Sequence, residues 1–304
     1  MTPFEVIHIE ETDSTNRWLR ESALSVTHER GLCVVADYQT AGRGQGTNRW
    51  ESQAGQNLTF SLGFGVNFSR CESSSRYEVR GTRYENSSRY EVRGTRYEVR
   101  AKEQFIISMA IAVSIVRTLE SFLLPPSSVL LTRKNMAPRS ITIKWPNDIY
   151  VGDRKVCGIL IECRLQGEWV KDCIAGIGLN VNQRRFLSDA PNPTSMALES
   201  GQDFDRDEVL RVLLEHFSQT LESWDEATIR SAYRSLLYRR EGYWPYCDGE
   251  GRFEARLKGV EDDGHLVLED RAGSERRYAF KEVVFLHSHL VPRTSIRTKL
   301  YFND

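Results

Sequence analysis

The chain has 304 residues, 40 % of them hydrophobic and 27 % charged, with a formal net charge of −1. That balance is the composition of a folded globular protein and excludes disorder along the whole chain. Near-neutral charge removes the electrostatic case for nucleic acid as main partner, and the length suits one large domain with a smaller one.

In chain order, residues 5–9 (EVIHI) alternate as a strand. Asp13-Ser14-Thr15 opens a helix to about Ala23 with Trp18 and Leu19 turned inward. Residues 31–37 (GLCVVAD) and 58–64 are further strands, separated by a glycine-rich loop. From Ser74 the 13-residue unit SSRYEVRGTRYEN begins again at Ser87, inside a segment (about 70–102) that carries nine basic and five acidic residues. Two such units cannot bury a solenoid core; they read as an inserted loop, either a mobile hairpin or disorder, with an arm for an acidic partner or nucleic acid as the functional alternative. Residues 104–122 are apolar nearly all round, as a central buried helix is. After an irregular stretch (125–140) come strands at 141–144, 155–163 and 172–182, then helices at 205–224 and 225–240, the first with a stripe of Leu210, Leu213, Leu214, Phe217 and Leu221. Past residue 240 the texture changes to short alternating strands, RFEARLKGV, HLVLED, RRYAF and VVFL, with hairpin turns between them.

No run reads as the ~18 apolar residues of a membrane helix, and the N-terminus lacks the pattern of a signal peptide, so a cytoplasmic protein without a membrane partner is expected. Cys33, Cys71, Cys157, Cys163, Cys173 and Cys247 include no CxxC pair and read as reduced thiols rather than a zinc site.

Three motifs carry chemistry. In AGRGQGTNRW (41–50) the glycines let backbone N–H groups turn toward an anion, while Arg43 and Arg49 supply charged donors; a plain turn is the alternative. In KWPND (144–148) Lys144 ends a strand, where it can hold a carboxylate and a phosphate together or simply face water. In GIGLNVN (176–182) two glycines inside a strand let a flat group approach, with Asn180 as a polar handle, or mark a bulge. On its own, Asp13-Ser14-Thr15-Asn16 reads first as a helix cap.

Taken in order, DSTN, AGRGQ…W, KWPND, RKVCGILIE and GIGLNVN resemble the catalytic domain of biotin protein ligases over residues 5–65 and 103–240. The resemblance implies an α+β fold: a class II aminoacyl-tRNA synthetase-like mixed sheet with helices, and a small C-terminal SH3-like β-barrel. The expected layout is a catalytic domain at 1–240, the barrel at 241–287 and a tail at 288–304, the stand-alone type without a DNA-binding domain. It also implies ATP-dependent formation of biotinyl-5′-AMP with Mg²⁺, and transfer to a lysine of a biotin carboxyl carrier domain of acetyl-CoA carboxylase or a related carboxylase, by a monomer or homodimer. Ser14, Thr15, Asn16, Gln39, Gly42, Arg43, Gly44, Gln45, Lys144 and Gly158 are then expected at biotin. Arg43, Trp50, Lys144, Asn147 and Asn180 are expected at ATP, with Trp50 packed on adenine, Lys144 bridging the biotin carboxylate and α-phosphate, and Asn180 near magnesium. Lys144 and Arg43 carry the catalytic expectation.

The loop departs from the family pattern, since Gln45 stands where a second arginine is usual and Thr47 where a glycine is. The lost charge implies weaker retention of the adenylate. A lipoyl or octanoyl transferase of the same fold and a non-catalytic biotin sensor are the rival readings.

Overall fold

Strand β1 (Phe4–Thr12) runs parallel to β2 (Gly31–Gln39), with helix α1 (Thr15–Glu21) crossing between them. The structure is a computed structural model and describes residues 4–22, 31–44, 49–69, 96–124, 140–187 and 192–286. Strands β3 (Leu58–Gly65), β6 (Ile141–Lys144), β7 (Asp148–Val151), β8 (Arg154–Gln166) and β9 (Trp169–Leu179) complete a seven-stranded sheet in the order β1-β2-β3-β9-β8-β7-β6. All its pairings except β1–β2 are antiparallel, so the sheet is mixed, as expected.

The two faces of this sheet have different tasks. Ile143, Ile149, Cys157, Leu179 and Leu58 are successive cross-strand partners, all buried to 1 % exposure or less. Side chains alternate across a strand, so this row lies on one face. Helix α2 (Phe105–Leu123) packs beside β6 and β7 and against α4 (Arg206–Glu222) and α5 (Glu226–Ser235). From Ile106 to Leu119 only Arg117 of α2 is exposed. A helix apolar all round is stable only when covered on every side. By length and composition Ala101–Leu123 does reach the threshold of a membrane span, contrary to the sequence reading, but 72 % of that window is buried inside the protein. On the opposite face α1 covers a smaller cluster of Leu19, Leu32 and Val34 with half-buried Trp18, Ile7, Ile9 and Ile174.

Several boundaries differ from the sequence reading. Asp205 caps α4 by accepting from Asp207 N and Glu208 N, but Leu221 is only half-buried and Val209 joins the buried stripe instead. Helix α5 ends at Ser235 because Leu236 O accepts from Ile143 N and Tyr238 N donates to Ile143 O, both near 2.9 Å, so that the chain turns extended alongside β6. The third strand of the 172–182 region stops at Leu179, leaving Asn180 just beyond it. Strand β7 and the one-turn helix α3 (Met196–Ser200) are additions. The repeat segment lies outside the described residues from 70 to 95, yet its last RYE forms β5 (Arg96–Glu98), paired antiparallel with β4 (Asn67–Ser69).

The chain divides into two compact units, Met1–Tyr238 and Arg239–Asp304. In the second, β10 (Tyr243–Asp248), β11 (Gly251–Val260), β12 (Leu266–Asp270), β13 (Glu275–Tyr278) and β14 (Val284–Phe285) form an antiparallel sheet, order β13-β12-β11-β10-β14. Tyr246, Ala255, Leu266, Leu268 and Phe285 fill its core. Its strand content is that of an SH3-like module, but among the described residues no ladder joins β13 to β14 to close a barrel. Strand β10 was not legible in the sequence because Pro245 interrupts it; the proline sits opposite Glu254 without breaking the strand.

Candidate active site

The helix-free part of the sheet's second face is a shelf made by glycines. Gly158 and Gly178 are cross-strand partners on β8 and β9, and the indole of Trp50 lies over both. A Cβ added to Gly178 would stand 2.2 Å from Trp50 Cε2, and one on Gly158 3.0 Å from Cζ3. The flat group that the GIG pattern made room for is therefore, in this state, the chain's own tryptophan. Trp50 Nε1 is buried without a hydrogen-bond partner among the described residues, which costs about 1–3 kcal/mol. The glycine loop sets this position: Trp50 N donates to Gly42 O at 3.0 Å, and a Cβ on Gly42 would fall 2.8 Å from Trp50 O. Arg43 bridges Arg49 across the loop and is exposed, Gly44 is half-buried, and Gln45 and Thr47 lie outside the described residues.

Two lysines border the shelf. Lys144 is opposite Asp148 on β6 and β7, and its Nζ donates to the Tyr150 hydroxyl at 3.2 Å and lies 5.1 Å from that ring's centroid. Lys155 is opposite Tyr150 and its Nζ lies 2.7 Å from Asp148 Oδ1 and 5.9 Å from the Trp50 ring centroid. Lys155 owes its direction to a β-bulge. Ile149 pairs with Cys157 but Tyr150 pairs with Lys155, so β8 carries one extra residue at this point. A bulge re-aims the side chain beside it, and here it brings Lys155 onto the face of Gly158, whose added Cβ would meet Lys155 Nζ at 3.3 Å. Lys155 is the charged residue that sequence reasoning passed over. Its only signal was a lysine three positions before the glycine of RKVCG, and simple alternation assigns it the same face as buried Cys157.

A buried polar network fills the shelf's other end. Gln39 Oε1 accepts from Thr15 N at 2.8 Å and Thr15 Oγ1 at 3.2 Å. Ser61 Oγ lies 2.6 Å from both Thr15 Oγ1 and Asn16 Oδ1. Asn16 Nδ2 donates to Glu162 Oε2 at 3.2 Å, and that carboxylate also pairs with Arg20. Asn16 fits only because Gly176 lacks a side chain, since an added Cβ would stand 2.4 Å from Asn16 Oδ1. Ser14 is the buried N-cap residue of α1 but makes no side-chain cap, while Thr15 and Asn16 turn their side chains into this network. Ser61 and Glu162 were missing from the sequence reading. The signal for Ser61 was a hydroxyl two residues after Thr59 in a strand otherwise built of apolar residues and glycine.

Beyond β9, Asn180 is held by Asn180 N to Val156 O and Asn180 Nδ2 to Thr194 O, both 2.9 Å. Its Oδ1 is buried and has no partner among the described residues, an acceptor that a cation or donor would satisfy. Asn57 and Gln183, also unforeseen, tie the loop to this segment: Asn57 Oδ1 accepts from Val181 N at 3.0 Å and Asn57 Nδ2 donates to Gln183 Oε1 at 2.6 Å. Asn147 is engaged with Ile159 O at 2.8 Å. Tyr233 of α5 donates to Pro146 O at 2.8 Å, fixing the KWPND turn from behind, and burial holds its phenol well above the ordinary range. Ser14, Thr15, Asn16, Gln39, Gly42, Trp50, Gly158 and Lys144 thus line one sheet face and its loop, while Arg43 points outward.

A profile of the biotin/lipoate A/B protein ligase family matches residues 8–75 and 95–180, breaking off across the repeat. A bifunctional ligase/repressor from Bacillus spizizenii is 26 % identical over 296 residues, covering 90 % of this chain and 72 % of its own. A biotin–[acetyl-CoA-carboxylase] ligase from Paracoccus denitrificans is 30 % identical over 142 residues, 44 % of this chain and 59 % of its own. Among solved structures, a biotin protein ligase from Aquifex aeolicus in complex with biotin and ATP shares the fold, with a TM-score of 0.62, 24 % identity and coverage of 93 % and 99 % of the two chains.

Proposed function

The chain belongs to the biotin/lipoate A/B protein ligase family, and from that membership we propose that it joins biotin to ATP and transfers the biotinyl group to a lysine of a carboxyl carrier domain. The observation that carries this reading is the glycine shelf bordered by Lys144 and Lys155 at one end and by the Thr15–Gln39–Ser61–Asn16 network at the other. Similar proteins bind biotin and ATP or carry the name of biotin ligase. A ureido ring offers donors and an acceptor suited to that buried network, and a carboxylate suits the ammonium groups of the two lysines.

In the first step a biotin carboxylate oxygen attacks the α-phosphorus of ATP, and pyrophosphate leaves. Two anions must meet, so the ammonium groups of Lys155 and Lys144 stabilise the charge that accumulates between them. The Asp148 partner of Lys155 keeps that ammonium aimed until phosphate competes for it. Arg43, on the loop, adds a forked donor when the loop folds over the ligand. Trp50 moves from the shelf to pack on the adenine, relieving its unpaired Nε1. Asn180 Oδ1 fits one oxygen ligand of a magnesium ion brought in by the nucleotide, and bound Mg²⁺ supplies further neutralisation of the phosphates. In the second step the amine of the acceptor lysine attacks the acyl carbon and AMP leaves, while the closed loop keeps water from the mixed anhydride. ATP is met in the cytoplasm, where we place the protein.

The test combines the chain with biotin, Mg·ATP and a biotin carboxyl carrier domain, followed by streptavidin detection. Labelling is expected for the wild type, with Lys155→Ala and Lys144→Ala each lowering it at least ~100-fold, the loss typical of one charge-stabilising donor. Tight biotin binding without pyrophosphate release would identify a sensor instead, and labelling with octanoate or lipoate but not biotin would identify the sister transferase.

A further inference from the structure

Cys163 of β8 and Cys173 of β9 are direct cross-strand partners, and their Sγ atoms stand 2.7 Å apart as free thiols. The two sulfurs are thus aimed at one another, and a disulfide at 2.03–2.05 Å requires a closing of about 0.7 Å. Alternation along β9 puts Cys173 on the face of Ala175 and Ile177, opposite to Gly176 and Gly178, so the pair is no part of the ligand shelf.

The two thiols are unequal. Cys173 is fully buried, and the neighbouring Cys163 sulfur together with that burial pushes its thiol far above the ordinary range. Cys163 is half-buried, near the tip of a hairpin whose Leu165 and Trp169 are exposed. This is the arrangement of an accessible thiol with a resolving partner behind it. Cys33 and Cys157, in contrast, are fully buried with no second sulfur beside them among the described residues.

We propose that Cys163 and Cys173 form a reversible disulfide, a redox modification site distinct from the ligand shelf, with a hydroperoxide as oxidant. The Cys163 sulfur attacks one peroxide oxygen, the O–O bond breaks, and one water leaves with the thiol proton, giving a sulfenic acid. The Cys173 sulfur then attacks the Cys163 sulfur; the S–S bond forms, the S–O bond breaks, and the hydroxyl leaves as a second water with the Cys173 proton. Two thiols lose two electrons and one hydrogen peroxide becomes two waters. A small dithiol reverses the bond by exchange.

The full chain is treated with hydrogen peroxide, alkylated and digested with trypsin without reduction. Peptides 156–164 and 172–184 are expected to appear cross-linked, the intact mass to fall by two hydrogens, and dithiothreitol to restore both. Cys157 shares the first peptide, so fragmentation of the wild-type product locates the bond, and Cys163→Ser is expected to abolish it. Cys173→Ser is expected to leave Cys163 as a sulfenic acid that dimedone traps. Two alkylated thiols after peroxide, a bond mapped to Cys157, or Cys163 driven to sulfinic acid without a link would each overturn the proposal.

Discussion

At the residue scale, absent side chains matter as much as present ones. Gly178 holds an indole and Gly176 holds an amide, and neither place admits a β-carbon. Gly178→Ala places a methyl 2.2 Å from Trp50 Cε2, and overpacking of this kind costs about 1–3 kcal/mol. Because the indole leaves the shelf for the adenine in the proposed reaction, this cost falls on the unliganded chain, whose Tm is expected to drop by about 2–12 °C. Thermal melts without ligand measure it, and an unchanged Tm would mean that the indole does not occupy the shelf. Glycines in a strand announced close approach, but which group approached depended on where a loop eight residues after Gly42 delivered Trp50. Lys155 illustrates the complementary limit. Its charge is plain in the chain, but its direction follows from a bulge visible only in the register of β7 against β8.

At the scale of elements, the helix layer is joined by polar contacts inside an apolar seam. Ser114 and Thr220 lie 3.2 Å apart, and Thr118 Oγ1 is 3.1 Å from His216 Nδ1, each linking α2 to α4. Burial, reinforced by Arg117, lowers the His216 pKa. The folded state therefore prefers the neutral ring, while the unfolded chain takes up a proton near pH 6.5. Below that pH the unfolded state binds more protons, so stability is full above about pH 6.5 and is lost as pH falls through the lowered folded value. Thermal melts from pH 7.5 to 5.5 are expected to show a falling Tm, and His216→Gln, which keeps a polar partner for Thr118, is expected to flatten that slope. An equal slope in the variant would assign the acid sensitivity elsewhere.

At the scale of the whole molecule, the repeat is an interruption between elements that close without it. The family profile leaves out residues 76–94, and Ser69 of β4 is directly paired with Arg96 of β5. The ends of the intervening stretch are thus already side by side. Deleting 76–94 shortens that connection from about 26 to about 7 residues, nearly two halvings at about 0.6 kcal/mol each. Biotin transfer is expected to be unchanged and Tm to rise by about 2–4 °C. A loss of transfer to the carrier domain with adenylate formation intact would give the repeat a role in acceptor binding.

By itself the sequence determined the order and kind of most elements, the mixed α+β class, the buried central helix and the motifs that mark the family. These are written in local periodicity and in short runs whose meaning does not depend on distant residues. The helix expected at 225–240 stops at Ser235 because its end is set by backbone bonds to Ile143, some ninety residues away. Ser61, Glu162, Asn57 and Gln183 could not be assigned to the site from the chain alone, since each acquires its role by facing a partner on another strand or loop. Tertiary structure alone decided which face of the sheet is free of helices, that Lys155 shares it, and that Cys163 meets Cys173. Register and a single bulge set these relations, and in an antiparallel sheet a shift of one residue sends a side chain to the other face.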